Sequence, residues 1–263
     1  MDVADTAPNR ECFGRPGASR GQAAFPQIRL VSLVECGTHI LFGARMGGYG
    51  TGEITLAREV VKHLAPGFLC LADRNFFGFQ LWQTARLTGA DLLWRVKKNL
   101  VLPCEKRLED GSYLSRIYPS VKDRRNQTNG VTVRVIEYTL QGIAGAEEVY
   151  RLVTTILDPE KGPARELAAL YGERWEIETA LDELKTHMRG ARIVLRSKSP
   201  DLVRQEFFGL LMAHFAIRGL MHEAAIKETL DPDRLSFIHA VRVVRRKIPH
   251  YVAIPPRGPG PVS

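Results

Sequence analysis

The sequence predicts a mixed α/β layer fold, and three features of the pattern indicate it. Strand-like residues 28–35 and 38–44 flank a Cys-Gly turn and predict a β-hairpin. Apolar residues recur at helical spacing over residues 53–65, until a Pro-Gly pair ends the predicted helix. The apolar run at residues 68–72 is too apolar for an edge strand, so it predicts a buried central strand. A helix over residues 76–87 follows, which continues the alternation of strands and helices.

A further core strand is predicted over residues 91–97, and the pattern then changes between residues 99 and 160. Asp-Gly and Asn-Gly pairs in this segment are turn signals. Residues 131–140 alternate between apolar and polar side chains, and residues 149–156 are strand-like. The segment is therefore predicted to be a β-rich insertion between two α/β elements.

Helical patterns dominate from Pro163 to about residue 246. One long helix is predicted over residues 165–186. A Ser-Pro-Asp sequence at 199–201 and an Asp-Pro-Asp sequence at 231–233 begin two more helices. The first of these two is strongly apolar over residues 207–220, which are assigned to the core.

The predicted organisation has four units. Residues 1–98 form the first part of the α/β core, of which residues 1–26 are polar, rich in Gly, Pro and Ala, and predicted to be loop. Residues 99–160 form the β-rich insertion, and residues 161–250 form the helical second part of the core. The Pro-rich residues 251–263 are predicted to be a disordered tail.

The composition is that of a globular protein with a basic charge balance. The 263 residues are 44% hydrophobic and 25% charged, so the chain can bury a core. There are 37 Lys and Arg residues against 29 Asp and Glu residues, and the pI is about 9.5. This balance favours a polyanionic partner, although many basic proteins bind no nucleic acid.

Cysteine spacing and hydropathy indicate a cytoplasmic protein. The four cysteines are isolated in the sequence, so they predict free buried thiols rather than a zinc site or disulfides. No apolar run approaches the roughly 18–20 residues of a membrane span, and the N-terminus has no signal pattern. We therefore expect no association with a membrane.

Asp73 is the first candidate site residue. It ends the predicted central strand in the sequence LADRNFFG. Carboxylates at the carboxyl ends of central strands project into the crevice above an α/β sheet. An Asp that caps the following helix is the alternative interpretation, and its position alone favours that alternative.

Four polar residues of the predicted helix 165–186 form the sharper signal. Tyr171, Arg174, Glu178 and Lys185 follow one another at spacings that place them on one helical stripe. Such a stripe is not a core face. The alternative interpretation is a solvated face held by ion pairs, of which the pair of Arg174 and Glu178 would contribute only about 0.2–0.5 kcal/mol.

The spacing Tyr-x2-Arg-x3-Glu-x6-Lys resembles the signature of the insertion-sequence-four family of DDE transposases. The LADRNFFG sequence around Asp73 is similar to the block that carries the second aspartate of that family. The sequence DPDRLSFIHAVRVVRR near the C-terminus also resembles the end of these proteins. The resemblance extends over about residues 2–248.

The resemblance implies an α/β fold of the RNase H-like type, with a mixed sheet, flanking helices and a β-rich insertion between the second Asp and the Glu. It implies that Asp73 and Glu178 bind Mg²⁺ or Mn²⁺, because hard cations prefer carboxylate oxygens. It further implies that Tyr171, Arg174 and Lys185 contact DNA phosphates, at element ends and at the target. The implied reaction is metal-dependent cleavage and transfer of DNA strands.

The sequence departs from the family pattern at its start. The first catalytic Asp of the family belongs to an Asp-Gly motif, which should precede a segment like MDVADTAPNR, and that segment begins here at Met1. Asp2 and Asp5 lie after the expected position. We therefore expect an N-terminally truncated, inactive copy whose first strand is largely missing, with a strand edge exposed beside residues 28–35.

Three alternatives stay open beside a transposase fragment. The first is a catalytically dead DNA-binding or decoy protein that associates with itself or with full-length transposase. The second is a decayed gene product that does not fold stably. The third is a related RNase H-like nuclease, against which the presence of Tyr171 and Lys185 argues.

Other residues carry weaker signals. The seven histidines form no ligand cluster and are predicted to be structural. Trp94 and Trp175 could stack on an unpaired base, but packing is the favoured interpretation. Two basic groups suit either the DNA backbone or a solvated surface. They are Arg116, Lys122, Arg124 and Arg125 in the insertion, and Arg242, Arg245, Arg246 and Lys247 near the end.

Overall fold

The structure is a computed structural model that describes residues 1–18, 21–139, 149–188 and 194–251. These residues form an α/β fold with a mixed six-stranded sheet and flanking helices, which confirms the predicted fold class. The predicted tail lies outside the described residues, except for the backbone of Tyr251 at the end of the last helix.

The described strands and helices follow the predicted order closely. The strands are β1 (Gly17–Ala18), β2 (Gly21–Gln22), β3 (Ile28–Val34), β4 (Leu41–Gly48), β5 (Leu69–Ala72), β6 (Asp91–Arg95), β7 (Lys106–Arg107), β8 (Tyr113–Ile117), β9 (Val131–Tyr138) and β10 (Tyr150–Thr154). The helices are α1 (Ala7–Phe13), α2 (Glu53–Val60), α3 (Phe79–Arg86), α4 (Val121–Asn126), α5 (Ala164–Leu170), α6 (Glu176–Asp182), α7 (Pro200–Glu228) and α8 (Phe237–Tyr251). Short 3₁₀ segments lie at Val61–His63, Tyr171–Trp175 and Pro232–Arg234, and a π-helical turn lies at Glu183–Met188.

The six-stranded sheet has the order β5-β6-β10-β9-β8-β7. β5 and β6 are parallel, with Cys70 opposite Leu92, and the other pairs are antiparallel. Strand β10 pairs with β6 on one side and with β9 on the other. The strands of the β-rich segment therefore continue the sheet that β5 and β6 begin.

The predicted hairpin is confirmed as β3 and β4, which pair antiparallel and form a sheet of their own. The register shifts between Val31 and Leu33, which marks a bulge. The prediction that β5 is a central strand is wrong for the described part of the chain. There β5 pairs only with β6 and lies at the edge of its sheet, although its sequence is apolar throughout.

The main core packs α2 and α3 against β5 and β6. Trp82 and Trp94 are almost completely buried, with their rings edge to face and their centroids 5.3 Å apart. Aromatic pairs in this geometry contribute about 0.5–1.5 kcal/mol beyond the area that they bury. The predicted packing role of Trp94 is therefore confirmed.

The first residues of the chain are not the loop that composition predicted. Val3 is fully buried and bridges to Leu195, and α1 begins after Thr6, whose hydroxyl accepts the Asn9 amide. Val3 joins Phe207 and other residues in a second core cluster. Its burial depends on contacts with residues almost two hundred positions away, which a local pattern does not reveal.

The Thr6→Val substitution is expected to lower the free energy of unfolding by about 1 kcal/mol, because it removes the N-cap of α1. The Thr6 hydroxyl also donates to the Lys198 carbonyl at 2.8 Å, so the loss would loosen the junction with α7. Denaturant titration measures the change. Thr6→Ser keeps the hydroxyl and serves as the control. Equal losses in both variants would contradict the capping role.

The predicted long helix 165–186 is one run of helical turns, but the type of helix changes along it. It runs from α5 through a 3₁₀ segment and α6 into the π-helical turn. A constant 100° per residue therefore does not describe it.

The apolar α7 also differs from its prediction as a core helix. Phe207 is buried, whereas Met212 is 73% exposed and Phe215 is 54% exposed.

The four cysteines are free thiols, as predicted, but only Cys70 is buried. Burial raises the pKa of the Cys70 thiol to about 11, which makes it unreactive at neutral pH. Cys12 and Cys104 are exposed, so the prediction that all four are buried is wrong.

Candidate metal- and DNA-binding site

Asp73 lies directly after β5, at the carboxyl end of the parallel pair β5 and β6. Its Oδ1 accepts the backbone N–H of Asn75 at 3.0 Å, so the carboxylate caps a tight turn. The next helix, α3, begins only at Phe79 and has Gly78 as its N-cap. The alternative of Asp73 as the cap of that helix is therefore wrong, because a separate turn lies between them.

Tyr171 is the residue that connects the end of β5 to the helical segment. Its hydroxyl donates to the Ala72 carbonyl at 3.1 Å, one residue before Asp73. The ring is buried in a cluster with Leu93 and Leu152, and this burial raises the pKa of Tyr171. The phenol is therefore neutral at physiological pH, and its hydroxyl is already engaged with the backbone.

Arg174 lies beside Tyr171, and its side chain is only 15% exposed. Its guanidinium lies over the Trp175 ring at 4.6 Å from the centroid, and its Nη1 is 3.9 Å from Glu178 Oε1. Trp175 is 59% exposed, so the packing role that we favoured for it is wrong. The Glu178 side chain is also 59% exposed. Trp175 and Glu178 are thus exposed, whereas Tyr171 is buried and Arg174 is largely buried.

A cavity of about 1060 Å³ brings three of the predicted site residues together. Asp73, Arg174 and Lys185 all line it. Tyr171 and Glu178 do not line the cavity. Glu178 lies beside a residue that does, since its Oε1 is 3.9 Å from Arg174 Nη1. The cavity is thus lined by two cationic side chains of the predicted site together with Asp73, and also by the carboxylates Glu35, Glu53 and Glu173.

Of the two carboxylates predicted to bind a metal ion, only Asp73 lines the cavity. Asp73 and Glu178 offer carboxylate oxygens, and Mg²⁺ is commonly held by one or two carboxylates together with substrate phosphates and water. Over the described ranges, no group of three or more His, Cys, Asp or Glu side chains is placed to hold a metal ion.

A second polar cluster lies at the far end of the helical segment, and the sequence reading missed it. Glu183 is buried and accepts hydrogen bonds from Arg218 and from His214, whose Nε2 is 3.1 Å away. His39 in the hairpin turn contacts Arg218 and lies 2.7 Å from Glu176. The only local signal was the pair His214 and Arg218, four residues apart in an apolar helix. His39 and His214 are buried, which agrees with the predicted structural role of the histidines.

The fold and the site define an RNase H-like α/β protein with an aspartate at a strand end and a Tyr-Arg-Glu-Lys helical segment beside it. The Transposase DDE domain family matches residues 5–216 of the chain, and the chain belongs to this family.

Two curated relatives come from Escherichia coli (strain K12). The transposase InsG for insertion sequence element IS4 is 30% identical over 252 residues, which cover 93% of this chain and 55% of InsG. The putative transposase InsZ is 31% identical over 86 residues, which cover 32% of this chain and 29% of InsZ. The chain thus spans about half the length of InsG.

A solved structure shares the fold. It is the piggyBac transposase synaptic complex with hairpin DNA, with a TM-score of 0.54 and 12% sequence identity. The likeness covers 92% of this chain and 49% of the piggyBac chain. At this identity it shows the fold alone, and it agrees with the RNase H-like architecture expected from the sequence. No helix among the described residues is both long enough and apolar enough to span a membrane.

Proposed function

We propose that this chain is the catalytic portion of a DNA transposase that binds DNA and cleaves its strands at element ends with Mg²⁺ or Mn²⁺, in place of the inactive copy that the departure from the family pattern led us to expect. The observation that supports the proposal is that Asp73, Arg174 and Lys185 line one cavity beside β5. A cavity with a carboxylate and two cations in its lining suits a substrate that brings both phosphate charge and a metal ion.

The predicted site residues have different roles in this proposal. Asp73 and Glu178 would hold the divalent ion, which stabilises the attacking and leaving oxygens of phosphodiester cleavage when it is bound. The Arg174 guanidinium suits a bidentate contact, in which two N–H groups donate to one phosphate, and the Lys185 ammonium acts as a point charge. Tyr171 was predicted to contact a phosphate directly. We instead infer that it positions Asp73, because its hydroxyl holds the Ala72 carbonyl.

Trp175 adds a surface for DNA beyond the phosphates. It is 59% exposed and lies against the Arg174 guanidinium. An exposed indole can stack on an unpaired base, which contributes about 1–3 kcal/mol in single-strand binding. The names of the relatives are consistent with DNA binding in general, since InsG is named a transposase, InsZ a putative transposase, and the piggyBac structure is a complex with hairpin DNA.

The test is nicking of supercoiled plasmid that carries the element ends, with Mg²⁺ or Mn²⁺. The Glu178→Ala variant is expected to nick at least about 100-fold more slowly than the unaltered chain, since misplacing a reacting group by about 1 Å already has an effect of that size. Glu166→Ala removes an exposed carboxylate of α5 that does not line the cavity, and it is expected to retain nicking. Metal-dependent nicking that survives Glu178→Ala would refute the assigned role.

A second candidate is a DNA-binding regulator that does not cut, and it acts by associating with full-length transposase. One observation favours it, namely that the described residues group no three acidic or other metal-binding side chains. Absence of nicking together with salt-sensitive DNA binding would support this candidate. The Lys185→Ala substitution should then reduce the salt dependence of binding by about one phosphate contact.

A further inference from the structure

A second, smaller pocket adjoins the candidate site. It has a volume of about 210 Å³, and its lining includes Arg29 near the start of β3 and Tyr49 directly after the end of β4. Neither of these two residues lines the large cavity that contains Asp73. Lys185 lines both spaces. The small pocket and the large cavity therefore meet at Lys185, so a long ligand beside Asp73 can continue past Lys185 into the small pocket.

The Arg29 guanidinium is held by three neighbours. Its Nη1 donates to the Thr51 carbonyl at 2.8 Å, and its Cζ lies 5.5 Å from the centroid of the Tyr49 ring. Its Nε is 3.8 Å from Oε1 of Glu53. A guanidinium has five N–H donors, and the described structure uses one of them in the hydrogen bond to Thr51. A planar donor group that is fixed in this way suits bidentate contact with a phosphate.

The charges in the pocket favour an anion. Its lining contains two cationic side chains, Arg29 and Lys185, and one carboxylate, Glu53. The Glu53 side chain is 54% exposed, and its 3.8 Å separation from Arg29 Nε is too long for a hydrogen bond. Exposed ion pairs of this kind are weak. A phosphate that accepts hydrogen bonds from Arg29 can therefore replace the carboxylate as its partner.

Tyr49 brings a phenol to the same pocket from a fixed backbone position. Its backbone N–H donates to the Phe13 carbonyl at 2.7 Å. A Cβ atom at Gly48 would lie only 2.8 Å from the same oxygen, so the end of β4 lies directly against the end of α1. The Tyr49 side chain is nevertheless exposed. Tyrosine hydroxyls are among the groups that proteins use to bind DNA phosphates.

We propose that Arg29, Tyr49 and Lys185 bind a backbone phosphate of the DNA strand that passes beside Asp73. The inference rests on the proposed function, because it requires that the chain binds DNA. It adds Arg29 and Tyr49 to the site residues that the sequence predicted. Phosphates follow one another along a strand at about 3.4 Å of helix axis, so two adjoining spaces suit neighbouring phosphates. Such a contact fixes the register of the strand and reads no base.

The first experiment measures binding of a fluorescently labelled duplex to the full chain by anisotropy, at several salt concentrations. Arg29→Ala is expected to weaken binding by roughly 5- to 10-fold at about 0.1 M salt and to reduce the salt slope by about one. Arg58→Ala is the matched control, because it removes the same charge from an exposed position of α2 that lines neither space. Its effect is expected to be less than about 2-fold. Tyr49→Phe keeps every charge and should weaken binding without changing the slope.

Neutral linkages in the DNA locate the contact. A methylphosphonate at one position removes the charge of one phosphate. At one position it is expected to weaken binding of the unaltered chain roughly 5- to 10-fold and to have no further effect on Arg29→Ala, because both changes remove the same contact. Circular dichroism confirms that the variants fold.

Chemical modification tests the same contact without any substitution. Phenylglyoxal reacts with accessible guanidinium groups, and mass spectrometry measures the rate at each arginine. DNA is expected to slow the modification of Arg29 at least about 5-fold, because a bound phosphate covers its donors. The modification of Arg58 should stay unchanged.

The proposal fails if Arg29→Ala and Arg58→Ala have equal effects, or if no single methylphosphonate position depends on Arg29. It also fails if DNA leaves the modification of Arg29 unchanged. In each of these cases DNA binding and metal-dependent nicking by the unaltered chain would still support the proposed function. An unaltered chain that binds no DNA would refute both.

Discussion

The Glu183→Gln substitution is expected to lower the free energy of unfolding by about 3–5 kcal/mol near neutral pH. Arg218 donates to both carboxylate oxygens of Glu183, and its Nε lies 2.9 Å from Oε2. The Arg218 side chain is only 4% exposed and the Glu183 side chain only 6%. A neutral amide would leave the guanidinium buried without a compensating charge, and water cannot replace the lost partner there.

The same carboxylate predicts how stability depends on pH. Burial alone would raise the pKa of Glu183, but hydrogen bonds from His214, His39 and Arg218 outweigh it and lower the pKa from 4.5 to about 2. A lowered carboxyl pKa contributes stability that is fully present above the unfolded-state value. This contribution, about 3 kcal/mol, is lost as the pH falls from about 4.5 toward 2.

Urea titrations at several pH values between 2 and 7 check both statements. Glu183→Gln should be less stable at neutral pH and should lose less stability on acidification than the unaltered chain. Glu178→Gln is the matched control, since that side chain is 59% exposed and its replacement is expected to change stability by less than about 0.5 kcal/mol. Equal effects of the two variants would contradict a stabilising role of the buried cluster.

The Asp110→Asn substitution is expected to lower the free energy of unfolding by about 3 kcal/mol. Arg134 is fully buried in β9, and Asp110 is the carboxylate that pairs with its guanidinium. Arg134 Nη1 also donates to the Gly162 carbonyl at 2.7 Å. Asp110 in turn accepts the Ala164 amide at 2.8 Å, at the first residue of α5. Loss of the charge would therefore leave the buried Arg134 guanidinium without its ion-pair partner. It would also weaken the hydrogen bond at the first amide of α5.

Denaturant titration gives the loss of stability, and hydrogen exchange of α5 shows where it acts. Faster exchange is expected in Ala164–Leu170, because Asp110 caps the first amide of that helix. Glu109→Gln is the control, since Glu109 is the adjacent carboxylate and is exposed. A loss of stability in Asp110→Asn without faster exchange in α5 would show that the pair does not hold the helix.

The two buried clusters have a common consequence for the candidate site. The helical segment that carries Tyr171, Arg174, Glu178 and Lys185 begins beside the Asp110 pair and ends in the π-helical turn that holds Glu183. Charge-assisted hydrogen bonds therefore fix the segment at both ends. The middle is fixed to the sheet by the Tyr171 hydroxyl on Ala72. A site built in this way holds its exposed side chains on a rigid support.

Local pattern predicted six of the ten described strands, because a strand signal needs only the residues within it, and it missed β1, β2, β7 and β8. The β3–β4 hairpin, β6, β9 and β10 all lie within a few residues of their predicted positions. The Asp-Gly turn at residues 110–111 is also confirmed, with Gly111 at a φ of +84°. The sequence did not show that Asp110 in that turn forms an ion pair with Arg134, since the two side chains come into contact only when β8 and β9 pair.

The sequence by itself determined which chemical groups this protein carries and along which elements they lie. Asp73 at a strand end and the spacing from Tyr171 to Lys185 were readable because they depend on order along the chain. Only the tertiary structure decided which of them are exposed. It buried Tyr171, turned Trp175 outward, gathered Glu183 with His214 and Arg218, and left β5 at a sheet edge. Burial and pairing depend on contacts between distant segments, and no local period encodes these contacts.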